Sequence, residues 1–230
     1  MKTLLALCLA FVSLTTVRAD WQQDYAALLK KYVTPDGVRY GAWKNNAEDM
    51  AAIDRVVHDI ADARSSDLPF YINAYNAWIL HEALGKYPTK SVKDTLFTFF
   101  TGDRIVVAGT KMSFNKLEKD VIRSKFKEPR VHFALNCASR SCPPLSSEPF
   151  TARNLDGQFE RLAKGFVNSD HGVRMTNGGV ELSKIFDWYK DDFGGTPGVI
   201  EFINKRRKEP IPQNAKISYQ DYNWNLNEAK

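Results

Sequence analysis

Long apolar runs, reactive side chains and recognisable ligand loops are all scarce in this sequence. It has three cysteines and four histidines in 230 residues. Its one extended apolar run, Leu4 to Val12, is shorter than the roughly 20 residues that a membrane-spanning helix needs, and no later stretch comes near that length. Stable membrane insertion is therefore not expected. No glycine-rich loop with the spacing of a nucleotide cradle, no complete metal-ligand motif and no sugar-binding aromatic pattern stands out, so neither cofactor nor metal is expected. Repeats, low-complexity tracts and Gly/Ser linkers are missing too, which leaves nothing to divide the chain into parts.

The apolar run has another reading. Lys2 precedes it, Val17-Arg18-Ala19 follows it, and Asp20-Trp21 opens ordinary polar sequence. That is the layout of a cleavable signal peptide over residues 1–19, with one globular domain over residues 20–230 and export to a periplasm or beyond the cell. Cys8 lacks the small residues that precede a lipid-modified cysteine, so it leaves with the signal and only Cys137 and Cys142 remain. Loss of Lys2 and Arg18, with no acid, lowers the formal charge from +5 to +3. A surface so mildly basic does not point to nucleic acid. The dense run Lys205-Arg206-Arg207-Lys208 has no interleaved aromatics and reads as a solvated helix end.

Helical periodicity runs over Asp20 to Val33, Ala47 to Ala63 and Leu68 to Tyr87, where Gly85 and Pro88 supply the stop. Short strands are expected at Arg104 to Ala108 and Val131 to Leu135, with a helix from Ser113 to Ser124 between them. A hairpin is expected over Gly172 to Leu182, turning at Asn177-Gly178-Gly179. Further helices read over Asn154 to Val167, Ser183 to Phe193 and Val199 to Arg206. The class is α+β, a helix-rich single domain with a small sheet.

Three stretches carry unusual chemistry. Leu68 to Leu80 is apolar around nearly its whole circumference, so the helix is buried on all sides. Asn73 and Asn76 share one face of it, and each unpaired polar atom there would cost about 1 to 3 kcal/mol. They either bond a neighbouring loop or line a site. In the second stretch Glu118 falls among Phe114, Leu117 and Val121, so its carboxylate needs a cation such as Arg123 or Arg130, or a histidine.

The third stretch, Arg130 to Leu145, holds His132, Cys137 and Cys142 within eleven positions. A thiol nucleophile with its base, a disulfide and a partial zinc site are all readings of this pattern. The first requires the chain to turn sharply at Asn136-Cys137, where a helix N-terminus would also acidify the thiol. The second requires the tetrapeptide between the cysteines to close as a tight loop before Pro143-Pro144. The zinc reading has no evident fourth ligand, so no metal is assigned.

Phe70-Tyr71-Ile72-Asn73-Ala74-Tyr75-Asn76-Ala77, Leu117-Glu118 with Ile122-Arg123, and Arg130-Val131-His132-Phe133-Ala134-Leu135-Asn136-Cys137 with Ser141-Cys142-Pro143 resemble successive signatures of the DUF547 family. Gly37-Val38-Arg39-Tyr40 is similar to an early segment of that family. Tyr222-Asn223-Trp224-Asn225-Leu226-Asn227 is similar to its terminal Tyr-Asp-Trp-Ser-Leu-Asn, with Asn223 and Asn225 departing. The resemblance implies a fold similar to papain and transglutaminases. It further implies a thiol-dependent hydrolase or transferase acting on an amide or thioester, with Cys137 as nucleophile, His132 as base and Glu118 orienting the imidazole. Asn73, Asn76 or Asn136 would then donate to the oxyanion, and Cys142, beside the same site, would be a resolving thiol or the alternative nucleophile, with Arg130 completing the binding site. The alternative is a non-catalytic exported binding or scaffold domain with a structural Cys137–Cys142 disulfide. A small molecule or peptide is the expected ligand in either case.

Overall fold

The architecture is known from a computed structural model, which describes residues 20–93, 100–212 and 214–229. The expected signal segment, residues 1–19, lies outside the described residues. Three early helices form where the periodicity places them, each started by a side-chain cap. Asp20 caps Trp21–Tyr32, Asn46 caps Ala47–Asp62, and Asp67, followed by Pro69 in the first turn, caps Leu68–Lys86. The Leu68–Lys86 helix is buried nearly all round and forms the centre of the larger hydrophobic core.

A second core gathers Phe133, Phe166, Phe186 and Val199 beneath the three-stranded sheet. In that sheet Val173–Thr176 pairs antiparallel with Gly179–Leu182, in the register Val173↔Leu182, so the hairpin turns where expected. Ile217–Tyr219 adds a parallel third strand that the sequence reading did not anticipate. Ile105–Val107 pairs with Thr110–Met112 around Ala108 and Gly109, both at positive φ, the geometry of a tight two-residue hairpin. The class is α+β and helix-rich.

Two expectations are corrected. Val131 to Leu135 is not a strand. Pro129–Phe133 forms a 3-10 turn that Pro129 opens and the Glu128 carboxylate caps, accepting from the Arg130 N–H at 3.0 Å. The alternation of Val131 and Phe133 misleads because this turn sits between the two cores. Val131 and Ala134 pack into one and Phe133 into the other, while His132 is buried at the junction. The helix after Ser113 is also irregular, because Phe114–Lys116 and Ser124–Phe126 flank a π-helical stretch, Leu117–Arg123, that carries Glu118. Such wide turns recur where a helix is bent to serve a site.

The C-terminal segment is a strap across three distant parts of the chain. Val38 N–H donates to the Asn227 carbonyl at 2.9 Å, Val92 N–H to Trp224 at 3.0 Å, and Arg140 N–H to Asn225 at 2.8 Å. In return Leu226 N–H donates to Lys90 at 3.0 Å and Asn227 N–H to Ala138 at 2.9 Å. Gly37 makes room for it, since a β-carbon there would stand 2.1 Å from the Asn227 carbonyl oxygen, at a φ of +133°.

Gly37→Ala should therefore displace the strap and cost on the order of 2 to 3 kcal/mol, read as a lower urea midpoint at unchanged slope. A midpoint within error of the parent would mean that the strap is not held tightly at this contact.

Candidate active site

The loop that carries the cysteines is suspended from buried carboxamides. Asn76, on the central helix, donates through Nδ2 to the Ala134 carbonyl at 2.8 Å and accepts from the Asn136 N–H at 2.9 Å. Asn136 in turn donates to the Pro143 carbonyl at 2.8 Å and accepts from the Ala138 N–H at 2.8 Å, and more weakly from Asn227 at 3.3 Å. The bond to Ala138 is an Asx-type turn, and it holds Ala138 at a φ of +61°, a conformation that costs a non-glycine residue energy. This is the sharp turn that a reactive cysteine at position 137 requires. No helix begins there, so the expected helix N-terminus is replaced by a loop.

Asn73 performs a parallel task on Phe150, donating to its carbonyl at 2.7 Å and accepting from its N–H at 2.9 Å. Asn73, Asn76 and Asn136 are each about 2% exposed, with both ends of each carboxamide engaged. They hold loops and do not line the cavity beside the cysteines, so the oxyanion role expected of them is not supported. Arg130 also lies outside that cavity, paired with Glu128 and Asp156, each at 2.8 Å.

That cavity, of about 370 Å³, is where Cys137, Cys142, His132 and Glu118 meet. Both cysteines are free thiols, so the disulfide expected in one reading is not formed in this structure. The Cys142 sulfur accepts the Cys137 N–H at 2.9 Å. The Cys137 sulfur lies 3.1 Å from the Ser139 hydroxyl and 3.3 Å from the Tyr222 hydroxyl. The neighbouring Cys142 thiol is the largest influence drawing the Cys137 thiol down to about 7, against the opposing effect of burial, and both hydroxyls assist by favouring the thiolate. The Cys142 thiol is pushed well up, first by burial and then by its neighbour's charge. One sulfur is set to lose its proton and the other to keep it.

His132 faces the same cavity but makes no hydrogen bond to Cys137 among the described residues. Its Nε2 lies 2.7 Å from Asp192, and its ring stacks on Tyr189 at a centroid distance of 3.8 Å. The carboxylate hydrogen-bonded to the imidazole is therefore Asp192 and not Glu118. Arg123 grips the same carboxylate through Nε at 2.7 Å and Nη2 at 3.1 Å. The hydrogen bond from His132, aided by that of Arg123, holds the Asp192 carboxyl well below the usual range. With Nε2 committed, Nδ1 is the imidazole nitrogen left for a molecule in the cavity. Glu118 sits beside the Tyr189 hydroxyl, and burial of that phenol, followed by the charge of Glu118, pushes it up. Among the described residues no three His, Cys, Asp or Glu side chains converge as a metal site would require.

Asp192, Ser139, Tyr189 and Tyr222 were not singled out from the sequence as site residues. Asp192 stands 60 residues from His132 on a 3-10 turn, Lys190–Phe193, and no local pattern ties the two. Tyr222 carries a signal, since it opens the terminal motif. The departure at Asn223 is also accounted for, because its side-chain oxygen accepts the Asn225 N–H at 3.0 Å, a task that either Asp or Asn performs.

No curated protein and no solved structure matches the chain. Residues 61–167, which span the central helix, Glu118, His132 and both cysteines, match the model of DUF547, described as a protein of unknown function.

Proposed function

We propose that this protein is an exported thiol-dependent hydrolase or transferase acting on an amide or thioester bond. The observation that carries the reading is a cysteine acidified to about 7 that shares one cavity with a buried, carboxylate-paired imidazole. A nucleophile near neutrality and a proton carrier across the bound substrate are what acyl transfer requires.

In this reading the Cys137 sulfur, its proton already given up to solvent, attacks the carbonyl carbon as a thiolate and forms a carbon–sulfur bond, while His132 is an imidazolium with a proton on Nδ1. Collapse of the tetrahedral species breaks the bond to the leaving amine or thiol, which takes that proton from the imidazolium. Water or an acceptor amine then attacks the acyl-cysteine, gives a proton to His132 and frees the sulfur. Asp192 is a positioning residue, because it fixes the tautomer and stabilises the imidazolium, while Arg123 keeps the carboxylate ionised. The Tyr222 hydroxyl, 3.3 Å from the sulfur, supports the thiolate. Export rests on the leader-like residues 1–19, and the ligand is a small molecule or peptide fitting the cavity.

A second reading, a binding domain without turnover, draws on the aromatic wall of the same cavity. Trp188, Tyr222 and Trp224 pack at centroid distances of 4.5 to 5.8 Å, and Trp188 is 46% exposed. Rings so presented suit the capture of a ligand.

Alkylation by iodoacetamide, followed against pH by intact mass, should show one thiol reacting with a midpoint of about 7. Tyr222→Phe should move that midpoint upward, since it removes a donor to the thiolate. A parent midpoint at the ordinary value of about 8.5 would remove the nucleophile from the proposal. On a panel of S-acyl thioesters and peptide amides, His132→Ala should lower kcat by about 100-fold or more and Asp192→Asn by at least about tenfold. Cys137→Ala should abolish turnover; turnover that survived it would sink the acyl reading, and retained ligand capture without any parent turnover would favour the binding domain.

A further inference from the structure

The acyl mechanism leaves the second thiol without a task, although the loop is built around it. Between Cys137 and Cys142 the chain closes on itself, with the Cys142 N–H donating to the Ser139 carbonyl at 3.2 Å and the Cys137 N–H donating to the Cys142 sulfur at 2.9 Å. The strap pins the loop from outside, because Arg140 N–H and Ser141 N–H donate to the Asn225 and Asn223 carbonyls at 2.8 and 3.2 Å. The Cys142 sulfur is thereby held at the Cys137 backbone, near enough to act on the Cys137 thiol, and both thiols open on the cavity. The two are unequal: one is flanked by hydroxyls that favour its thiolate, and burial keeps the other protonated. An attacking thiolate next to a protonated resolving thiol is the arrangement that two-step thiol–disulfide exchange uses.

We propose that Cys137 and Cys142 act as attacking and resolving thiols that reduce a low-molecular-weight disulfide admitted to the cavity. The Cys137 thiolate attacks one sulfur of the external disulfide, whose S–S bond breaks as a new S–S bond to Cys137 forms. The departing half leaves as a thiolate and is protonated from solvent. Cys142 then gives its proton to solvent and attacks the Cys137 sulfur. This forms the internal disulfide and expels the second half as a thiolate, which takes a proton from solvent. Two cysteines are oxidised, and one external disulfide is reduced to two thiols. Closure requires the two sulfurs to come within about 2 Å across the short loop that joins them. The external disulfide is the only oxidant the step needs. The chemistry uses the two sulfurs alone and does not rest on the acyl reading.

The test uses the purified protein, fully reduced and freed of reductant, with oxidised glutathione as the probe. Intact mass and peptide mapping of the Cys137 and Cys142 peptides follow an acid quench. The parent should lose two hydrogens, release two equivalents of glutathione and carry no lasting adduct. Cys142→Ser should stop with one glutathione on Cys137, and Cys137→Ser should react at least tenfold more slowly than the parent. Cys142→Ala provides the same arrest if the serine variant fails to fold, as judged by near-UV circular dichroism. A parent that halts at the glutathione adduct, that reacts no faster than Cys137→Ser, or that does not react at all would overturn the proposal. A protein oxidised in this way but inert toward thioesters and amides keeps the exchange and loses the acyl reading; the opposite pattern does the reverse.

Discussion

The carboxamide of Asn76 joins the buried central helix to the cysteine loop, and the geometry around Cys137 descends from it. It satisfies the Ala134 carbonyl and the Asn136 N–H at once, two groups that burial would otherwise leave unpaired at about 1 to 3 kcal/mol each. Because the helix is packed on nearly every side, this anchor cannot drift. Asn136 passes the constraint on, turning the chain through Ala138 and holding the Pro143 carbonyl beyond the second cysteine. The strain at Ala138 persists because the surrounding hydrogen bonds over-determine it. A carboxamide suits the post better than a carboxylate, since it donates and accepts without bringing a charge into the core.

The two sides of the cavity are positioned by different cores. Cys137 follows from the larger core through Asn76. His132 follows from the boundary between the two, where Phe133 is sunk among Phe166, Phe186 and Phe202 and Val131 among the residues around the central helix. Asp192 and Tyr189 then approach from the segment that follows the short helix Lys184–Trp188, between the hairpin and the third strand of the sheet. The separation between sulfur and imidazole is consequently a property of how the two cores dock. A substrate, and not a direct hydrogen bond, is left to connect them.

How much of this is legible in the sequence depends on the range of the interaction. The early helices, the hairpin at Asn177-Gly178 and the burial of Leu68 to Leu80 follow from local periodicity and turn chemistry, and all are found within one or two residues. The need to satisfy Asn73 and Asn76 is also readable, as is the sharp turn at Asn136-Cys137. Their partners, Phe150, Ala134 and the Asn136 N–H, are not, because each lies 58 to 77 residues away. The strand expected at Val131 to Leu135 fails for a related reason: alternation signals two environments, and two docked cores supply them as readily as the faces of a sheet. Glu118 and Asp192 illustrate the same limit. Both carboxylates come close to the His132–Tyr189 stack, and only the fold decides which one reaches the imidazole.

The strap also sets an order of assembly. Tyr222 lies 85 residues beyond Cys137, and the backbone bonds that bring it there are scattered over residues 38, 90–92 and 138–141, which fold into separate elements. While a chain is being made, the cysteine loop leaves the ribosome well before the hydroxyl that steadies its thiolate. The sulfur thus has its full complement of partners only when the strap is docked on all three parts of the chain.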